Sequence, residues 1–319
     1  MTFNTTDLCR KSCDISKFVI YNEYVIDEQE VAHLDWLVKM NGALDYIENN
    51  LTGEIDAAEA AKRACCSTFN FQRMFSFMAD VSLAEYIRRR RLSAAAMDLL
   101  TTEEKVIDIA VKYGYESPVS FARAFQSLHG VNPSEVRKQG IKIKAYPRIS
   151  FEITIKGVEA MNYRMEECKE FRLVGYKERI NTDNEQNFQR IPAFWDEINQ
   201  SGKCDAMMQY HDDPKWWCVG VCANEDDKGF EYYIATGSSK EVPQGMAQLI
   251  VPANLYVVFE CVGKMPEGQQ KVWKRIFTEW FPTAAYDLAD GPQIEWYTDG
   301  DMNSEEYYSE IWIPVTKKK

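Results

Sequence analysis

Phe71-Gln72-Arg73-Met74-Phe75 and, 50 residues further on, Phe121-Ala122-Arg123-Ala124-Phe125 repeat one pattern, F-x-R-x-F. On a helix, Phe71, Met74, Phe75 and Met78 fall at i, i+3, i+4 and i+7 and form an apolar stripe. The outward stripe is then Phe69, Gln72, Arg73 and Ser76. In the second copy Phe121, Ala124, Phe125 and Leu128 turn inward, which leaves Val119, Ala122, Arg123 and Gln126 outside. A shorter helical segment and a tight turn precede each copy, at Cys65-Cys66-Ser67 and at Gly114 to Ser117. That is the order of a helix-turn-helix, present twice.

The surrounding sequence fits. Leu37, Leu44, Ile47 and Leu51 recur at helical spacing, and Asp56 caps an alanine-rich helix ending at Ala64. A helix is expected over Thr68–Met78, and a long one follows through Leu83, Ile87, Ala95 and Leu99. Val106–Tyr113 is stopped by Gly114, and Ser117 caps the next helix, which ends near Leu128. His129 to Pro133 breaks the chain before a last short helix.

The outward stripes carry side chains suited to base edges. Arginine chelates guanine, glutamine chelates adenine, and a small apolar group meets a thymine methyl. Two such helices on one connecting helix could enter successive major grooves about 34 Å apart. A solvated helical bundle would also display Arg and Gln; the duplicated pattern favours double-stranded DNA. The run Arg88-Arg89-Arg90-Arg91 says less, because four consecutive positions wrap most of a helix. Glu85 is placed to pair with Arg89, and others of the run could meet phosphates.

Residues 37–140 resemble the DNA-binding domain of the AraC/XylS family of transcription regulators. The resemblance rests on Phe69 to Phe75, Tyr86 to Leu92, Val106 to Ala110, Tyr113 to Ser117, Phe121 to Phe125 and Pro133-Ser134. It implies that Phe69, Gln72 and Arg73 enter one major groove and that Val119, Ser120, Ala122 and Arg123 enter the next. The chain departs from the family at Cys65, where glycine is usual; a left-handed residue without glycine costs about 1 kcal/mol. Pro118, Val119 and Ala122 stand where relatives often carry polar groups, so less base discrimination is expected from the second helix.

After Ile141 the period changes. Apolar runs at Ala160–Met165, Phe171–Gly175, Trp216–Ala223 and Phe230–Ala235 read as strands. A second set follows at Gln248–Val251, Leu255–Val262, Ile294–Tyr297 and Glu310–Val315. One amphipathic helix lies within each set, Phe188–Ile198 and Gln269–Trp280. The expected fold is multidomain: an all-α double helix-turn-helix, then an α+β half of two similar strand-strand-helix-strand-strand units. The expected divisions are an arm at 1–34, the helical domain at 35–140, a linker at 141–154 and the α+β domain at 155–319. The first 34 residues fit a short strand, an arm or a loose segment equally well.

The net charge of −12 is unevenly spread: −3 over 1–34, +2 over 35–150 and −11 over 151–319. Acidity thus belongs to the second half and does not argue against DNA binding by the first. Residues 151–319 also hold seven of the eight tryptophans, more than two small units ordinarily need for their cores. An aromatic cleft with a carboxylate suits a flat, apolar cation through stacking, cation–π contact and charge neutralisation. Trp195, Tyr256, Trp296 and Trp312 are candidate walls. Glu310, amid apolar neighbours, is the first candidate carboxylate; Glu260 and Glu295 follow. The alternative for each glutamate is the solvent face of an edge strand.

This half resembles the GyrI-like effector-binding domain of Rob- and BmrR-type regulators. The resemblance rests on Ile191 to Trp195, Tyr256 to Gly263, Val272 to Phe277 and Glu310 to Val315. It implies a pocket between two pseudo-repeats, with the last strand's glutamate facing lipophilic cations. The combined reading is a ligand-responsive regulator that contacts a promoter, a small effector and RNA polymerase. One alternative is a toxin-hydrolysing enzyme using Glu310 with Trp195 or a tyrosine, which the resemblance allows. Another is a domain that binds a protein partner. No catalytic triad, phosphate loop or metal cluster stands out, so no cofactor, metal or catalytic residue is expected. The nine cysteines, including the pairs Cys9/Cys13 and Cys218/Cys222, read as reduced thiols. No run of 18 apolar residues and no signal pattern occur, so a cytosolic location away from membranes is expected.

Overall fold

The structure is a computed structural model that describes residues 19–21, 24–26, 28–138, 140–151, 160–181, 186–226 and 229–318. A two-stranded ribbon, β1 (Val19–Tyr21) and β2 (Tyr24–Ile26), leads into α1 (Glu28–Asn49). The helical region therefore begins ahead of residue 35. It continues through α2 (Ala57–Arg63), α3 (Thr68–Ala79), α4 (Leu83–Thr101), α5 (Val106–Lys112) and α6 (Pro118–His129), with a 3₁₀ turn at Pro133–Glu135.

Four of these starts, those of α2, α3, α4 and α6, are written locally. Asp56 accepts from the amide of Ala58 and Ser67 from that of Asn70. Ser82 accepts from the amide of Glu85 and Ser117 from that of Ser120. Each side chain satisfies one of the amides that a helix start leaves unbonded, for about 1 kcal/mol. The two interhelical turns match bond for bond. Cys66 N donates to Ala61 O and Cys65 N to Lys62 O; Tyr115 N donates to Ala110 O and Gly114 N to Val111 O. Both are Schellman turns with a left-handed residue after the helix, at φ 54° for Cys65 and 79° for Gly114. Only the second position is a glycine. Cys65→Gly is therefore expected to stabilise the domain by up to about 1 kcal/mol, read as a higher urea midpoint.

Two cores result. Phe71, Met74 and Phe75 pack on Met40, Leu44 and Ile47 of α1, while Phe121, Phe125 and Leu128 pack on Leu92, Ala96 and Ile109. The arginine run is spent inside the domain. Arg88 and Arg89 bond Glu85, Arg90 grips Glu48 and the carbonyl of Tyr146, and Arg91 caps the carbonyls of Leu51 and Gly53. The segment after Ile141 is laid along the helical domain, where Asn41 exchanges two hydrogen bonds with the backbone of Phe151.

The second half is one antiparallel sheet with helices on one face. Its first strands are β3 (Tyr163–Cys168), β4 (Phe171–Asn181), β5 (Cys218–Asp226) and β6 (Gly229–Gly237), with α7 (Gln186–Gln200) and α8 (Lys203–Met208) between β4 and β5. Then come β7 (Ala247–Val251), β8 (Asn254–Val262), α9 (Glu267–Arg275) with a π-helical turn to Trp280, β9 (Tyr286–Leu288), β10 (Gln293–Tyr297) and β11 (Tyr308–Lys317). The strand order is β3-β8-β11-β10-β5-β6-β4-β7, with β9 beside β11. β3 lies beside β8 rather than β4, and β7 lies beside β4. The β5–β10 pairing joins the two groups of strands into one sheet.

Candidate functional site: an aromatic cavity walled on one side by helix α3

Side chains alternate across a sheet, so register decides which candidates meet. Trp296 pairs with Glu310, and Glu295 pairs with Ile311. Glu310, Trp312, Trp296, Tyr256 and the exposed Glu260 consequently lie on one face, and Glu295 lies on the other with α7 and α9. The candidate carboxylates named from the sequence thus fall on two different faces, Glu310 and Glu260 on one and Glu295 on the other.

On the Glu310 face the carboxylate is fully engaged. Arg164 Nη1 donates to Oε1 at 2.7 Å and Nη2 to Oε2 at 3.1 Å. Tyr308 Oη and Trp312 Nε1 add bonds of 2.7 and 2.9 Å. The Glu310 side chain is buried, and the charge that it was expected to offer a ligand is neutralised by Arg164. Tyr256 and Trp312 are core residues there, and Trp296 binds the carbonyl of Lys215. Glu310 and Trp195 are on opposite faces and do not meet, whereas a tyrosine, Tyr308, does lie against Glu310 at 2.7 Å.

On the helix face there is a cavity of about 430 Å³. Trp195 of α7, Trp273 of α9, and Tyr232, Glu295 and Tyr297 of the sheet line it. Trp195 Nε1 donates to Tyr232 Oη at 2.9 Å, and its ring meets Tyr297 edge-on at 5.3 Å between centroids. Glu295 is held from two sides: Trp273 Nε1 donates to Oε1 at 3.0 Å, and Tyr297 Oη donates to Oε2 at 3.0 Å. Burial pushes the Tyr232 and Tyr297 hydroxyls well above the usual phenol range. Burial also pushes the Cys222 thiol up to about 12, so it remains a thiol at neutral pH. The described cysteines are free thiols; Cys9 and Cys13 lie outside the described residues.

The remaining wall comes from the helical domain. Phe69, Arg73 and Phe77 of α3 line the same cavity. The Arg73 guanidinium carbon sits 3.8 Å from the centroid of the Trp273 ring. Its Nη2 donates to Glu295 Oε1 at 3.1 Å and its Nη1 to Gln293 Oε1 at 2.9 Å. Gln293 also donates to Asn70. The Phe69 ring packs 4.2 Å from Phe230, and the Phe69 amide donates to Glu225, whose carboxyl is raised by burial. Phe77 stacks on Trp273, and Lys274 of α9 pairs with Asp80 at the C-terminal end of α3.

The two outward stripes therefore face different surroundings. Phe69 is buried, the Arg73 side chain is 11% exposed, and Gln72 and Ser76 are half-buried. Val119, Ser120 and Arg123 are exposed, with Ala122 half-buried beside them. Trp273, Tyr232, Tyr297, Phe77 and Gln293 were not among the sequence candidates. Tyr297 was within reach, because it lies two residues from Glu295 and shares its face. Trp273 belongs to an amphipathic helix expected to cover the sheet. Among the described residues no helix is long and apolar enough to cross a membrane, and no group of three or more metal-ligating side chains occurs.

Residues 60–139 match a helix-turn-helix domain model, and residues 164–315 match Cass2, an integron-associated effector-binding protein. The activator AarP of Providencia stuartii is 42% identical over 94 residues, 30% of this chain and 70% of AarP. The regulatory protein SoxS of Salmonella typhimurium is 36% identical over 94 residues, 30% of this chain and 88% of SoxS. Among solved structures, SAV2435 bound to tetraphenylphosphonium is 27% identical with a TM-score of 0.46, covering 49% of this chain and 94% of that one. The chain belongs to the AraC-type helix-turn-helix transcription regulators and joins that DNA-binding domain to a C-terminal effector-binding domain of the Cass2/GyrI-like kind.

Proposed function

We propose that this regulator responds to a lipophilic aromatic cation held in the α7–α9 cavity, with Glu295 as its counter-charge and Trp195, Trp273 and Tyr297 as its walls. One observation carries the reading: the cavity already holds a cation, the Arg73 guanidinium, stacked on Trp273 and bonded to Glu295. A lipophilic organic cation would find the same two partners, ring face and carboxylate, in this cavity. The reading is one of reversible binding: the Cys222 thiol is un-ionised, and Glu310 is tied to Arg164. RNA polymerase is the further partner, recruited once the promoter is bound.

Titration of the full chain with tetraphenylphosphonium, followed by tryptophan fluorescence, tests this function. Saturable quenching is expected because Trp195 and Trp273 line the site. A flat response from the folded protein to this and other lipophilic cations would overturn it.

On the DNA side, the proposed contacts are Phe69, Gln72, Arg73 and Ser76 in one groove and Val119, Ser120, Ala122 and Arg123 in the next. Arg123 gives the cleaner variant, being exposed and remote from the cavity. Arg123→Ala is expected to cost about 1–3 kcal/mol in specific affinity for a duplex selected by the wild-type chain, measured by fluorescence anisotropy.

A further inference from the structure

We infer that Arg73 is a tethered competitor for the effector, so that one side chain closes the ligand site and withholds the first recognition helix from DNA. This rests on the cation reading above and adds its regulation. The effector subsite and the DNA-reading face of α3 satisfy the same group. While the Arg73 guanidinium lies on Trp273 and bonds Glu295, no second cation can take both partners. In the same arrangement Phe69 is buried on Phe230 and Asn70 is bonded to Gln293, so α3 cannot enter a groove.

Ligand entry at that subsite expels Arg73 and removes an ion pair, a hydrogen bond and a ring contact from the seam. What then holds α3 is the packing of Phe69 on Phe230 and of Phe77 on Trp273 and Phe277, with the Gln293–Asn70 bond, the Glu225 bond at the helix start and the Lys274–Asp80 pair. An apolar cation replaces the contacts that Phe77 and Arg73 make with Trp273. Effector and DNA thus both select the undocked state, and each raises the affinity of the other by the same factor. The apparent affinity for the effector is reduced by the fraction of molecules in which the subsite is vacant.

The second recognition helix has no such restraint. Val119, Ser120 and Arg123 stay exposed while α3 is docked. The docked protein can therefore make half of a bipartite contact, and the effector adds the other half.

Tetraphenylphosphonium is titrated into the full-length wild type, Arg73→Ala and Gln293→Ala under one set of conditions. Arg73→Ala is expected to bind about tenfold more tightly or better, because the competing cation is gone. Gln293→Ala loosens α3 without lining the cavity and is expected to move the same way by a smaller factor. Equal affinities in all three proteins would overturn the tethered competitor and leave the cation site standing. Weaker binding by Arg73→Ala would also overturn it, by making Arg73 part of the ligand's wall. Absence of binding in every protein would overturn the cation reading and this inference together.

Discussion

Phe121→Ala is expected to cost about 3–5 kcal/mol and to unfold the second helix-turn-helix at temperatures where the wild type is intact. Phe121 is fully buried, packed between Phe125, tilted at 5.5 Å, and Tyr115, edge-on at 5.2 Å. Its core contains Leu92, Ala96, Leu99, Ile109 and Leu128, all contributed by α4, α5 and α6. Neighbours fixed on three packed helices can collapse only partly into the void, which puts the cost at the upper end for a large-to-small change. Since α6 is the helix proposed to read the second groove, DNA binding is expected to fail with it. Urea unfolding followed by far-ultraviolet circular dichroism reads the loss. A change below about 1 kcal/mol would mean that the F-x-R-x-F motif does not place its aromatics in a core.

In an Arg73→Ala background, Glu295→Gln is expected to weaken tetraphenylphosphonium binding by roughly tenfold to a hundredfold, from the loss of one half-buried counter-charge. The background matters because Glu295 serves both the ligand and Arg73. In the wild type its removal weakens the site and frees it at once, and the two effects offset each other. Glutamine keeps the shape and the acceptor oxygen for Trp273 Nε1, so the change isolates the charge. Glu310→Gln in the same background is expected to leave ligand affinity unchanged, since that carboxylate is on the opposite sheet face and paired with Arg164. The reverse ranking, with Glu310→Gln the damaging change, would move the ligand to the other face of the sheet.

The helical half was legible because its signals are local. The i, i+3, i+4 stripe puts Phe71 and Phe75 inside whatever lies across from them, and Asp56, Ser67 and Ser117 mark helix starts by the bonds they make. Alternation likewise revealed the long strands, though not the short α8 and β9. The cavity was harder to read, because a strand's own sequence tells which residues share a face and not which strand lies beside it. That Glu295 lies opposite Ile311, and not opposite Glu310, is a matter of register between segments joined by a ten-residue connection. The docking of α3 left only a faint trace. An outward stripe of Phe, Gln, Arg and Ser reads the same whether it faces a groove or a second domain. Phe69 was the one hint: a large aromatic on that stripe, where α6 carries Val119, is costly to leave in water.

The direct test of the account is the affinity of the full-length chain for a duplex that it selects in vitro, with and without saturating tetraphenylphosphonium. Salt is held fixed, because phosphate contacts make any such affinity salt-dependent. Release of α3 by the cation predicts DNA binding tighter by about tenfold or more. Unchanged or weaker DNA binding in the presence of bound cation would contradict it and would mean that the ligand leaves α3 docked.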